Sequence, residues 1–462
     1  MLNKTLNRTF AAVLLSLCAA IVGFAQGNSP LLQDIKVVKP AITAAPVPTA
    51  TPLVKKTGAV TTSPALPGSN VRTMFPMLAE VEIPGYSGVV IETLDNKTVL
   101  ESNPGYLFNP ASNVKVATAF AVLKTFGPEF RFATNVYTDG VVDRANGVLN
   151  GNLYISGKDP IFGFEHAISI ANELNRLGIR QINGDLVVTD NFVMNYAGSS
   201  LVSAKALAAA MDANTRSAAA LRTWQTHLAN SGRAVTNYPS VSFTGATYVQ
   251  SVPSNLSFLF SHESAPMRDI LKAILCYSNN FLSERLGEMV GGPYAVARTV
   301  QLQAGVPANE FSLQTSSGLG YNRVTPNAMM KLLRALRSDL SKYKMTFSDI
   351  MPVAGIDQGT LANRFDMDGF NTGSVVGKTG TLGNTDAGVS ALAGEMNTRQ
   401  GRLLFVIFNQ RGSVPRFRSF QNSFISLVQS QFGGPTALEY SPQSLDVRLA
   451  RSRIVTAQGK AY

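Results

Sequence analysis

Ser112 and Lys115 in "PASNVKVATAF" stand three positions apart where an apolar stretch begins. On a helix, positions i and i+3 share a face, so this spacing brings a hydroxyl and an amine together. A serine hydroxyl is a weak nucleophile until a base takes its proton. Lysine serves as that base only if its pKa falls from the ordinary value of roughly 10.4. Burial in a cleft, the positive end of a helix and the like charge of a second lysine each push it down. Arginine could not replace it, because a guanidinium keeps its proton. The same pair also has a structural reading. Serine is a frequent helix N-cap, and Ser341-Lys342-Tyr343-Lys344 repeats the spacing in a polar stretch. The pair alone leaves both readings open.

Order along the chain separates them. Lys-Thr-Gly occurs at 378–380 and again at 56–58, the second time inside a proline-rich stretch. Lys378 instead follows "SVV" and leads into "TLG", as a strand would. Between Ser112 and Lys378 lies Ser278-Asn279-Asn280, beside a long apolar helix pattern. Three elements in the order Ser-x-x-Lys, Ser-x-Asn, Lys-Thr-Gly are far more specific than any one. They form the motif set of penicillin-binding proteins and serine β-lactamases. One register stays open: Tyr277-Ser278-Asn279 also fits the Tyr-x-Asn of class C β-lactamases.

The elements that must hold these residues are legible in part. "YSGVVIETLDNKTVLESN" alternates apolar and polar residues on either side of Asp95-Asn96, a hairpin signal. From Ser112 the pattern turns helical, with Val116, Ala119, Phe120 and Leu123 on one face and Gly127-Pro128 as the stop. Short strands and helices follow, including "GVLNGNLYISGKDP", a helix near 164–177 and "INGDLVVTD". Residues 200–258 are rich in Ala and Ser and carry a weak pattern. Helical periodicity returns at "APMRDILKAILCYSNNFLSERLGEMV". "SVVGKTGTLGN", "AGVSALAGEM" and "GRLLFVIFNQ" read as strands, and "SFQNSFISLVQSQFGG" as an amphipathic helix with a glycine stop.

Bulk properties bound the rest. The 462 residues are 45% hydrophobic, enough for two or three domains with a sizeable core. Lys4 and Arg8 precede an apolar run from Phe10 to Phe24, and Gly23 and Ala25 suit a signal-peptidase cut, so 1–25 reads as a secretory signal too short for a comfortable membrane span. Cys18 follows a bulky leucine inside that run, which disfavours a lipoprotein site. Residues 26–70 are rich in Pro, Ala and Thr and read as an extended tether. The expected location is therefore across the inner membrane, in the periplasm or associated with the cell envelope, with no stable membrane span once the signal is cleaved. Only Cys276 remains after cleavage, so no disulfide framework is expected. A net charge of +11 fits an anionic envelope or plain solubility; a nucleic-acid partner is not expected. The three histidines and the lack of HExxH argue against a zinc hydrolase and leave few bases for a Ser-His-Asp triad. No cofactor or metal is expected.

Around the three motifs, "NPASNVKVATAFAVLKTFGPEFRFATNV", "INGDLVVTD", "SNNFLSERLG", "SSGLGYNRVTP" and "MPVAGIDQGTLANRF" resemble the penicillin-binding protein 4 type of D-alanyl-D-alanine carboxypeptidase, peptidase family S13, in blocks from about residue 80 to residue 430. The resemblance implies an α/β (α+β) fold of the β-lactamase/transpeptidase type: an antiparallel sheet flanked by helices, with a smaller inserted domain. The expected layout is a catalytic domain at 71–134 and 259–435, an inserted domain at 135–258 and a C-terminal tail at 436–462.

It also implies roles. Ser112 is the nucleophile and Lys115 its base. Ser278 carries a proton to the leaving amine, and Asn280 holds the substrate amide and the lysine. Lys378 supplies positive charge for the terminal carboxylate, beside Gly380, with hydroxyl contacts from Thr379 and Thr381. The oxyanion hole uses the backbone N–H groups of Ser112 and Thr381. The substrate is the peptidoglycan stem peptide, cut by carboxypeptidase or endopeptidase action, and β-lactams are covalent inhibitors. "SGKDP" resembles the family's Gly-Gly-Asp-Pro, whose aspartate grips a diaminopimelate side chain; Asp159 has that role or is a turn-forming Asp-Pro.

Two departures stand out. The interval between Ser112 and Ser278 is shorter than the family's, with room for one inserted domain but not a full third. "TSSGLGYN" lacks the acidic residue and arginine that relatives often show nearby, with Tyr321 in their neighbourhood. A strict diaminopimelate preference is therefore not implied. The rivals are a serine β-lactamase, although no Glu-x-x-x-Asn of the class A kind stands between Ser112 and Ser278, and a silent module that binds wall or senses β-lactams. The sequence does not give the oligomeric state.

Overall fold

Apolar residues occupy so much of the stretch after Ser112 that its helix is buried on every side. In the computed structural model, which describes residues 71–233, 238–365, 372–456 and 458–461, helix α1 (Val114–Phe126) has every residue from Val114 to Leu123 buried. The single apolar face expected from Val116, Ala119, Phe120 and Leu123 is part of a wider one, as befits a central helix. Gly127 ends it at φ 79. The signal and tether readings lie outside the described residues.

Before α1, strands β1 (Tyr86–Thr93) and β2 (Thr98–Ser102) form the expected hairpin. Asn96 turns it at φ 65, a left-handed conformation that asparagine adopts at small cost.

After α1 the chain enters a second sheet. Its strands are β3 (Ala133–Thr138), β4 (Leu153–Gly157), β5 (Leu186–Val188), β6 (Thr247–Val249) and β7 (Ser257–Glu263). The order β6-β5-β4-β3-β7 is parallel across the first three and antiparallel beyond. Helices α2 (Phe164–Arg176), α3 (Ser200–Met211) and α4 (Ala218–Asn230) accompany it. The first half of the Ala- and Ser-rich stretch thus holds two helices; Ser199 and Ser217 cap α3 and α4 with their hydroxyls.

The chain then forms α5 (Met267–Tyr277), α6 (Asn280–Met289), α7 (Gly292–Gln303) and α8 (Pro326–Lys342). Strands β8 (Val375–Leu382), β9 (Val389–Thr398) and β10 (Gly401–Gln410) complete the first sheet. Its order is Arg72–Thr73, β2, β1, β10, β9, β8, antiparallel throughout, so β8 is an edge. Successive side chains take opposite faces. Val90, Val406 and Phe408 join the core containing Phe120 of α1, Leu271 of α5 and Leu333 of α8. Val89, Ile91, Phe405 and Ile407 meet Phe424, Ile425 and Val428 of the last long helix, α9 (Val414–Gln431). Burying Phe120 alone contributes about 1.5–3 kcal/mol.

The segment read as a tail is structured. Helix α10 (Leu445–Leu449) is followed by β11 (Arg453–Thr456), which pairs antiparallel with β7 at the edge of the second sheet. Arg448 and Arg451 both donate to the buried Asp269 at the start of α5, at 3.0 and 3.1 Å.

Candidate active site

Ser112 does not cap α1. It lies in a single turn of 3-10 helix, Ala111–Asn113, that leads into the helix, and its hydroxyl faces Lys115. Lys115 is 1% exposed. Its Nζ lies 3.0 Å from Ser112 Oγ, 2.6 Å from Asn280 Oδ1 and 2.7 Å from the Ser317 carbonyl oxygen.

Three consecutive residues at the α5–α6 junction have three different tasks. Ser278 ends α5 in the left-handed region (φ 57, ψ 40), which turns its hydroxyl toward Lys378 Nζ at 2.9 Å. Asn279 caps α6, accepting from the Leu282 N–H at 2.9 Å. Asn280 opens α6 and reaches Lys115. Tyr277 donates its hydroxyl to Gln358 Oε1 at 2.8 Å. The Ser-x-Asn register is therefore the one that meets both lysines.

Lys378 lies on the edge strand β8 and is fully buried; its Nζ also donates to the Thr379 carbonyl at 2.7 Å. β8 crosses the serine turn at Gly380. A Cβ there would stand 2.6 Å from the Pro110 carbonyl oxygen and 3.0 Å from the Ser112 nitrogen, so only glycine permits this approach. Thr379 and Thr381 flank that crossing, Thr379 buried and Thr381 exposed.

Residues without a motif support the turn. Asn109 Oδ1 accepts from the Ala111 N–H at 3.0 Å, holding Ala111 at φ 47, unusual for a side chain with a Cβ. The Asn109 amide donates to the Gly320 carbonyl and to Asp386 Oδ2, and Asp386 pairs with Arg323 at 2.9 Å. The Glu284 carboxylate accepts from the N–H groups of Ser316 and Ser317 at 3.0 and 2.9 Å, fixing the carbonyl that Lys115 uses. Sequence reasoning missed these because most of their partners, backbone atoms or side chains, lie far along the chain. The Glu at 284 in "SNNFLSERLG" was the one available signal.

Asp159 makes no hydrogen bond to this group among the described residues. It follows β4 and is 3% exposed; one carboxylate oxygen accepts from the Ile161 N–H and the other has no partner among the described residues. Burial pushes its pKa up to about 7, and does the same to Glu165, with Asp159 adding to the shift of Glu165. Tyr196, raised by burial and by these two carboxylates, packs edge-on against Phe281 at 4.9 Å, beside Asn280. The three histidines lie close together: His166 is 4.8 Å from His262 and 6.2 Å from His227, ring to ring.

The model of the D-Ala-D-Ala carboxypeptidase 3 (S13) family matches residues 76–200 and 194–422. This chain belongs to peptidase family S13. The S13 chain is 26% identical to a D-alanyl-D-alanine carboxypeptidase of Actinomadura sp. (strain R39), over 76% of this chain and 82% of that one. It is 23% identical to D-alanyl-D-alanine carboxypeptidase DacB of Haemophilus influenzae, over 75% of this chain and 89% of the other. Its fold is similar to the Bd3459 predatory endopeptidase of Bdellovibrio bacteriovorus (TM-score 0.66, 23% identity, 77% of this chain and 95% of that one). It is also similar to penicillin-binding protein 4 of H. influenzae (TM-score 0.55, 22% identity, 76% and 97%). The S13 chain is a serine peptidase of the D-Ala-D-Ala carboxypeptidase type, with the expected transpeptidase-like mixed fold.

Proposed function

We propose that Ser112, Lys115, Ser278, Asn280 and Lys378 carry out this reaction on peptidoglycan stem peptides. The observation that carries the proposal is the Lys115 amine, within hydrogen-bond reach of Ser112 Oγ at 3.0 Å and Asn280 Oδ1 at 2.6 Å. Ser112 Oγ attacks the carbonyl carbon between the two D-alanines while its proton passes to Lys115 Nζ. The N–H groups of Ser112 and Thr381 stabilise the oxyanion. The proton taken by Lys115 returns through Ser278 Oγ, 2.9 Å from Lys378 Nζ, to the leaving nitrogen. The C–N bond breaks, D-alanine departs and an ester remains on Ser112. Water then hydrolyses that ester, regenerating the hydroxyl and releasing the shortened peptide.

Penicillin enters by the same attack, and its ring-opened acyl group stays on Ser112; one similar solved structure is a penicillin G-acylated Bd3459 endopeptidase. The similar Bdellovibrio structures are of endopeptidases, which supports a second activity here, cleavage of cross-links through the same acyl-enzyme. The Asp159 carboxylate is the grip for a diamino-acid side-chain amine. Residues 135–258 act as an inserted domain, and residues 1–25 direct export to the periplasm or envelope. Release of D-alanine from a pentapeptide, compared with release of monomers from cross-linked dimers, tests the pair of activities. Loss of both in Ser112→Ala is expected. D-alanine release that survives in Ser112→Ala would contradict the assignment.

A further inference from the structure

We infer that Arg418 makes the direct contact to the carboxylate beside the scissile bond, so that Lys378 acts on it only through its field. The inference rests on the reading of Ser112 as nucleophile and of β8 as the substrate-binding strand.

The first observation concerns what Lys378 has left to offer. It is 0% exposed, and its Nζ already donates to Ser278 Oγ at 2.9 Å and to the Thr379 carbonyl at 2.7 Å. A buried ammonium with those donors engaged lends positive potential, but a carboxylate arriving from solvent needs N–H groups it can reach.

The second observation supplies them. Arg418 lies on α9 and is exposed; its guanidinium donates to Thr381 Oγ1 at 2.9 Å. Thr381 is the residue after Gly380 on β8, the edge strand of its sheet. In the proposed site its hydroxyl meets the substrate carboxylate, so the guanidinium stands at the strand edge where that carboxylate arrives. A guanidinium has five N–H donors in a planar fork suited to a carboxylate. Among the described residues this hydroxyl is the one acceptor that the Arg418 side chain meets.

The third observation is a second cation behind the first. Arg364 donates to Asn422 Oδ1 at 2.7 Å, to Gln421 Oε1 at 3.1 Å and to the Arg418 carbonyl at 3.4 Å. Residues 418, 421 and 422 share one face of α9, so Arg364 is fastened along the face that presents Arg418. Burial, and then the Arg418 charge, pull Arg364 down to about 10. Among the described residues neither guanidinium has an ion pair with a carboxylate. Two like charges held side by side raise the local potential, and an incoming anion relieves the repulsion. In the proposed reaction the substrate brings that anion: the carboxylate on the carbon next to the leaving nitrogen.

The test compares Arg418→Gln and Arg418→Lys with the unchanged protein on a stem-peptide mimic ending in D-Ala-D-Ala and on its C-terminal amide. In Arg418→Gln, kcat/KM for the free acid should fall about tenfold, mainly through KM, while the amide changes by less than about twofold. Acylation of Ser112 by benzylpenicillin, which carries a carboxylate, should fall as the free acid does. Arg418→Lys should recover part of the loss. Equal effects on acid and amide, or none on either, would overturn the inference while leaving the nucleophile reading intact. An unchanged protein that neither releases D-alanine nor is acylated at Ser112 would overturn both.

Discussion

The Nζ of Lys115 lies 2.7 Å from the carbonyl oxygen of Ser317, 202 positions along the chain. That carbonyl is aimed by Glu284, whose two carboxylate oxygens accept the N–H groups of Ser316 and Ser317. Glu284→Ala leaves both N–H groups without their acceptor and lets the turn move, so the general base loses part of its alignment. The rate of acylation by benzylpenicillin is expected to fall about tenfold, with a stability loss of about 1–3 kcal/mol. Glu284→Gln keeps one acceptor oxygen and should recover part of the rate. Stopped-flow acylation together with thermal melts separates these; a full rate in a destabilised Glu284→Ala protein would mean the turn does not govern Lys115.

Ser278 and Tyr277 should behave differently. Ser278 Oγ meets Lys378 Nζ, whereas Tyr277 meets Gln358. Ser278→Ala should slow acylation by about 10²–10⁴-fold, the usual worth of a positioned proton carrier. Tyr277→Phe should leave it nearly unchanged. The opposite pattern would move the chemistry to the Tyr-x-Asn register.

Asp159 carries a pH signature. Its pKa is raised to about 7 in the folded chain from an ordinary 3.8, so the folded state holds the proton more tightly than the unfolded one. The cost of ionising it is absent below about pH 4, accrues through the interval and is full above 7. Asp159→Asn removes that cost. Its stability gain over the unchanged protein should be near zero at pH 4 and about 3–4 kcal/mol at pH 8, one pKa unit being about 1.4 kcal/mol. Urea unfolding at both ends measures it, and a gain independent of pH would contradict the burial argument. If Asp159 also grips a side-chain amine, the same variant should raise KM for stem peptides that bear one and spare those that do not.

Lys115→Arg tests the base. The longer guanidinium keeps its charge and its proton at neutral pH, so the serine stays unactivated and penicillin acylation should fall by at least about 10³-fold. A rate within tenfold of the unchanged protein would show that proton removal does not depend on Lys115.

Much of this site was legible in the chain because its parts are local. Ser112 and Lys115 meet through helical spacing, and Ser278 and Asn280 diverge because a left-handed residue is followed by the helix cap Asn279. The hairpin turns at Asp95-Asn96, and the three C-terminal strands are short, largely apolar runs buried on both faces, a pattern that marks strands covered on both sides. What stayed hidden depends on distant pairing. Ser317 acts through its backbone, and Arg418 reaches Thr381 only because α9 packs on β9, the neighbour of β8. Helices α3 and α4 are too rich in alanine to show a clear apolar stripe, and β11 is a four-residue edge strand whose identity comes from pairing with β7.

The central claim is that Ser112 is the nucleophile. Incubation with benzylpenicillin, intact-protein mass measurement and peptide mapping test it directly. The account predicts one added penicilloyl group, mapped to Ser112 and lost in Ser112→Ala. A folded protein that gains no mass, or that carries the group on another residue, would contradict it.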